Sequence, residues 1–134
     1  MYDLKDLNQV RQTEGHPLED QEQAWLIQWA KRHGPAEAKR LFAIPNGGHR
    51  SHSQGALLKL TGVQKGVPDL FLPVPRGGYH GLWIEMKSTD PKSRASKEQR
   101  FWLAYLSGQG YRAEVCRGFE KARDTILEYL GEAA

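Results

Sequence analysis

The sequence predicts an α/β domain: a small mixed sheet flanked by helices. Two observations carry this. Segments with helical spacing of apolar residues (17–33, 96–107 and 119–130) are interleaved with short apolar or alternating runs (40–45, 68–73, 81–87 and 111–116). The step from 81–87 through the middle helix to 111–116 is strand–helix–strand, which favours a right-handed parallel crossover. The predicted order is helix, strand, strand, strand, helix, strand, helix. At 134 residues the chain has the usual size of one domain, long enough for a sizeable core.

The elements follow in order. Residues 1–16 are polar without clear periodicity and read as an N-terminal arm, leaving 17–134 as a single domain. In the 17–33 helix Pro17 suits the first turn, acids follow at the positive end of the helix dipole, and basic residues close it before Gly34-Pro35. Its apolar face is Trp25, Leu26, Ile27, Trp29 and Ala30. "RLFAIP" at 40–45 is a short strand ended by proline. Residues 46–66 form a long Gly-rich connection with one helical turn near 54–60, and loops this long tend to be functional. Residues 68–73 and 81–87 form two strands around Gly77-Gly78. A polar loop leads to Ser96, which starts a helix with Phe101, Trp102, Tyr105 and Leu106 on one face. The alternating "YRAEVC" reads as a strand, and Phe119, Ala122, Ile126 and Leu130 line the last helix.

Charge is distributed unevenly. Between Glu37 and Asp69 there is no acid, whereas Lys39, Arg40, Arg50, Lys59 and Lys65 fall there with His49 and His52. A one-sign segment of this kind suits a polyanion such as nucleic acid, and equally a solvated loop of chance composition. No apolar run reaches the length of a membrane span, and the polar N-terminus is no signal peptide. The single cysteine, Cys116, excludes an internal disulfide and suits a reducing cytosol, where it serves as a small apolar residue.

The hairpin concentrates the chemistry. A turn centred near Gly77 sets Asp69 opposite Glu85, on the face that also carries Lys87. Leu70, Leu72, Leu82, Ile84 and Met86 then point to the other face. A slip of one residue would undo this pairing. Two carboxylates at such spacing repel unless a cation lies between them, and an oxygen-only site with open positions suits Mg²⁺ or Mn²⁺. A neighbouring lysine can orient a water and offset charge on a phosphorane-like transition state, which is the constellation for phosphodiester hydrolysis. The bland reading is a cross-strand charge cluster on a solvated face.

"GVPDLFL", "GLWIEMKS" and "SKEQRFWLAYLSGQGYRAEVCRG", with "IPNGGHRS" and "EDQEQAWLIQWA" before them, resemble the VRR-NUC branch of the PD-(D/E)XK nuclease superfamily, in order over residues 18–130. The resemblance implies a restriction-endonuclease-like core and a Mg²⁺-dependent DNA nuclease, with Mn²⁺ able to substitute. Stand-alone members occur in phages and bacteria, resemble Holliday-junction resolvases and form homodimers. That implies branched DNA as partner, a cytoplasmic location and no membrane. Carried over, Asp69 and Glu85 are metal ligands, the Met86 carbonyl a further ligand, and Lys87 the catalytic lysine. The family's glutamate on the first helix falls on Glu19 or Glu22, and the one-turn spacing to Gln23 favours Glu19. Either acid also suits a helix N-terminus.

Gln99 has two readings. It completes a capping box with Ser96, or it stands near the catalytic lysine and the bound phosphate as the family implies. Asn46 and Arg50 resemble positions near the DNA path, so Arg50 and Lys65 are expected to contact phosphates. Asn46-Gly47 is also an ordinary turn signal. His49 and His52 without cysteines make a poor zinc site, and an HNH nuclease lacks its second histidine region. Trp25 and Trp29 read as core or as anchors of a dimer interface. The competing functions are a nucleic-acid-binding module on an inert nuclease fold and a subunit of a larger repair assembly.

Overall fold

A computed structural model describes residues 4–14, 18–45 and 52–131. Its elements are α1 (Leu4–Glu14), α2 (Glu19–Arg32), a 3₁₀ turn (Ala36–Arg40), β1 (Phe42–Ala43), α3 (His52–Leu60), β2 (Leu70–Leu72), β3 (Leu82–Lys87), α4 (Lys97–Gly108), β4 (Arg112–Arg117) and α5 (Phe119–Leu130). The strands form one mixed sheet in the order β1-β2-β3-β4. The first three are antiparallel neighbours, and β4 runs parallel to β3.

The hairpin has the expected register: Leu70 pairs with Ile84, Phe71 with Trp83 and Leu72 with Leu82. Its turn is fixed by Gly77 and Gly78, whose φ values of 59° and 86° are those a type I′ connection needs at both central positions. Leu70, Leu72, Leu82, Ile84 and Met86 are fully buried and join Trp25, Leu26, Phe119 and Ile126 in one core. Helices α2 and α5 thus cover this face. Helix α4 lies against the other face, where Phe71, Trp83 and Tyr111 form an aromatic cluster. Cys116 is buried and its thiol is pushed up to about 11 by desolvation, so it is an unreactive core residue.

Four expectations change. The segment read as an arm contains α1, with Leu7 buried and Val10 packed against the core. Two apolar residues three apart are a weak periodic signal, and the helix is held by a tertiary ion-pair cluster. Trp25 and Trp29 are both buried in the core, so neither is available as a dimer anchor. On α4 the reverse holds: Phe101 and Tyr105 are exposed and stacked on each other instead of facing the core. The turn placed near 54–60 is a nine-residue helix. Among the described residues no helix is long and apolar enough to cross a membrane.

Candidate active site

Asp69 directly precedes β2 and is fixed from two sides. Its backbone carbonyl accepts the Ile44 N–H at 2.7 Å, and its Oδ2 accepts the Met86 N–H at 2.8 Å. The carboxylate therefore takes the place of the next ladder partner, where β2 has ended. Strand geometry turns the Met86 carbonyl to the same side as its N–H, toward Asp69, whereas the Lys87 carbonyl faces β4 and accepts the Gly118 N–H at 2.9 Å.

Glu85 is 1% exposed, and neither of its carboxylate oxygens has a hydrogen-bond donor. Its pKa is pushed up to about 9, first by desolvation, then by the adjacent Asp69 carboxyl and the charge of Glu19, against the opposing effect of Lys87. Such a carboxylate needs either a proton or a cation. Lys87 supplies part of this: its Nζ lies 4.0 Å from Glu85 Oε2 and 3.6 Å from Glu19 Oε1. Glu19 in turn accepts a hydrogen bond from Ser93 Oγ at 3.2 Å. The buried lysine is thus held between two acids.

Among the described residues no three His, Cys, Asp or Glu side chains converge into a complete cage. A pair of carboxylates with a backbone carbonyl is nevertheless the set that fits Mg²⁺, which keeps several waters and completes its octahedron with phosphate oxygens. The orphaned oxygens of Glu85 beside Asp69 fit such an ion. Glu19 meets Lys87, and its charge is felt by Glu85.

The structure separates Glu19 from Glu22. Glu22 is fully buried and accepts from Arg11 Nη2 at 2.8 Å and from the Phe119 N–H at 2.7 Å. Arg11 also pairs with Glu120, and these acids hold its guanidinium firmly charged. The cluster needs glycine at 118: a Cβ there would come within 2.8 Å of Thr89 and 3.5 Å of Glu22 Oε1, at a φ of 87°. Glu22 is thus part of the scaffold, and Glu19 faces the site.

Gln99 forms the capping box. Its Oε1 accepts the Ser96 N–H at 2.7 Å, and its own N–H donates to Ser96 Oγ at 3.2 Å. The start of α4 is clamped to the segment leading into Asp69 by Gly66, where a Cβ would sit 2.6 Å from the Glu98 carbonyl carbon. Lys65 is exposed and 4.0 Å from Glu98. Asn46, His49 and Arg50 lie outside the described residues, as does the side chain of His52. Sequence reasoning passed over Ser93, Arg11 and the Ile44 amide. Only Gly66, two residues before Pro68, carried a local hint.

The VRR-NUC domain family matches residues 16–120. A solved structure described as a VRR_NUC domain protein shares 31% identity, with 86% of this chain and 89% of that one covered at a TM-score of 0.72. No curated protein matches this chain. With the family spanning most of the sequence and a solved member sharing the fold, the chain belongs to the VRR-NUC family and forms a nuclease-type domain.

Proposed function

We propose that this domain is a Mg²⁺-dependent DNA endonuclease that hydrolyses phosphodiester bonds at Asp69, Glu85 and Lys87. The observation that carries the reading is Glu85: a buried carboxylate with no donor for either oxygen, set beside a second carboxylate. Leaving such a charge unpaired is strongly unfavourable, and a divalent cation removes the penalty. Asp69, Glu85 and the Met86 carbonyl would hold the ion, and Mn²⁺ accepts the same oxygen donors. When bound, the metal supplies Lewis-acid polarisation of the phosphate and a more acidic water.

The chain's own groups do the rest. Lys87, buried and held by Glu19 and Glu85, donates to phosphate oxygens as negative charge builds up on them. Glu19 and Ser93 keep the lysine in place. Gln99 caps the start of α4, which packs at Glu98 against Gly66 in the loop before Asp69, and the family resemblance would set its amide near the lysine or the phosphate. Asn46, Arg50 and Lys65 lie in the acid-free segment and would position the DNA backbone.

The family resemblance favours branched DNA, four-way junctions first. Resolving one takes two symmetric cuts, which a twofold homodimer supplies. With Trp25 and Trp29 inside the core, the dimer contact falls on other residues. The test is cleavage of duplex, flap, nicked and four-way substrates in Mg²⁺ and in EDTA, with light scattering on the same sample. Mg²⁺-dependent cutting that disappears in Lys87→Ala is expected. Cutting in EDTA or by Lys87→Ala overturns the site, equal cutting of plain duplex overturns the junction preference, and a monomer mass overturns the dimer.

A further inference from the structure

The sheet face that carries Glu85 and Lys87 continues two residues back along β3 into Trp83, and two residues before Asp69 lies Val67. Both line a cavity of about 440 Å³, whose other walls include Ile44, Val63, Trp102 and Leu106. Residues two apart on a strand are roughly 7 Å apart on one face. The cavity therefore adjoins the carboxylate pair at a separation that one nucleotide spans.

Its walls are mostly aliphatic, with two tryptophans, Trp83 and Trp102, among them. Trp83 stacks on Phe71 with ring centroids 4.3 Å apart and meets Tyr111 edge-on. Its indole N–H is buried without an acceptor in the protein. Trp102 is edge-on to both Phe101 and Tyr105. Those two rings are 63% and 49% exposed and stack on each other beside the cavity wall. Basic residues lie close in sequence to the lining: Lys59 two residues before Thr61, Lys65 next to Gln64, and Arg100 two before Trp102, its guanidinium donating to the Ala95 carbonyl. No acid occurs between Glu37 and Asp69, and the nearby Glu98 is loosely paired with Lys65.

Tryptophans in an apolar wall, with basic residues flanking the lining segments, suit single, unstacked bases. We infer that this cavity receives one unpaired nucleobase next to the phosphodiester held at Asp69 and Glu85. The inference rests on the nuclease reading for the position of that phosphodiester, and it deepens that reading. A plain duplex must unstack a base to fill the cavity, whereas a branch point offers one already free. Selection for branched DNA then arises within one protomer, before any dimer geometry acts.

The test uses Lys87→Ala protein, which binds without cutting, and branched oligonucleotides carrying 2-aminopurine at one position at a time. One position, next to the wild-type cut, should show a fluorescence change. An abasic residue there should weaken binding about tenfold, the size expected for one base–aromatic stack. Adding Trp102→Ala, or Val63→Trp to fill the cavity without removing a wall, should abolish both effects while the circular dichroism and the mass stay the same. A signal without wild-type cleavage sinks the nuclease reading and keeps the base site. Cleavage with no position-specific signal, or with no abasic penalty, sinks the base site alone. A fall in mass with Trp102→Ala also overturns it, because the α4 aromatics would then be a subunit contact.

Discussion

Replacing Glu85 by Gln should stabilise the metal-free protein while ending cleavage. The carboxyl has its ordinary value of 4.5 in the unfolded chain and is pushed up to about 9 in the fold. At pH 7 the folded state must therefore hold a proton that the unfolded chain has released. The penalty at that pH is set by the gap from 4.5 to 7 and not by the full shift, which amounts to about 3 kcal/mol at roughly 1.4 kcal/mol per unit. Gln carries no such penalty, and its amide can donate to Asp69. Because the folded pKa is raised, wild-type stability is fully present below about 4.5 and is lost as pH rises toward about 9. The advantage of Glu85→Gln should therefore vanish near the lower limit and grow with pH. Urea melts of both proteins in EDTA at pH 5, 6, 7 and 8 measure this directly. At pH 7 the gain corresponds to a rise of roughly 10 °C in Tm. Adding Mg²⁺ should stabilise the wild type and leave the variant unmoved. A pH-independent difference, or a variant less stable at pH 8, would mean that Glu85 is satisfied within the protein, and the metal argument would fall with it.

Asp69→Asn and Lys87→Ala should each lower Mg²⁺-dependent cleavage by roughly a hundredfold or more with the fold retained, read by single-turnover assay and circular dichroism. Glu19→Gln and Glu22→Gln should behave oppositely. The first loosens Lys87 and lowers turnover at unchanged stability. The second leaves Arg11 without its buried partner and reduces stability by about 3 kcal/mol in urea melts; equal effects on both readouts would refute the division of roles. Arg50→Ala and Lys65→Ala should each flatten the salt dependence of DNA binding by about one charge, and an unchanged slope in a salt titration would place the DNA elsewhere.

The sheet and its hairpin were legible because their signals are local. The Gly77-Gly78 turn fixed the register, alternation fixed the faces, and together these put Asp69 opposite Glu85. What escaped was whatever depends on distant parts of the chain. Helix α1 was opaque because Arg11 acquires its meaning from Glu22 and Glu120, the latter 109 residues away in sequence. The burial of Trp25 and Trp29 and the exposure of Phe101 and Tyr105 are differences of tertiary position between similar aromatic helices. The spacing to Gln23 favoured Glu19 over Glu22 without deciding between them, because both acids sit in the first turn of α2. The choice is resolved in space, where one reaches Lys87 and the other the Phe119 amide.

The match to the family ends at 120 and begins at 16, so it omits α1 and stops just inside α5. The Arg11 cluster crosses the first limit and reaches the second: Arg11 lies before the match, Glu120 is its last residue, and Glu22 sits buried between them. Ile126 and Leu130, which help close the core, lie wholly beyond it. The stretch that the family match covers is thus smaller than the folded core. Transplanted at the edges of the matched stretch, the Asp69–Glu85 hairpin would arrive with an unanswered charge beneath Gly118 and an open flank. A fusion or a shuffled enzyme that borrows this active centre has to take the whole buttress from α1 through α5 with it.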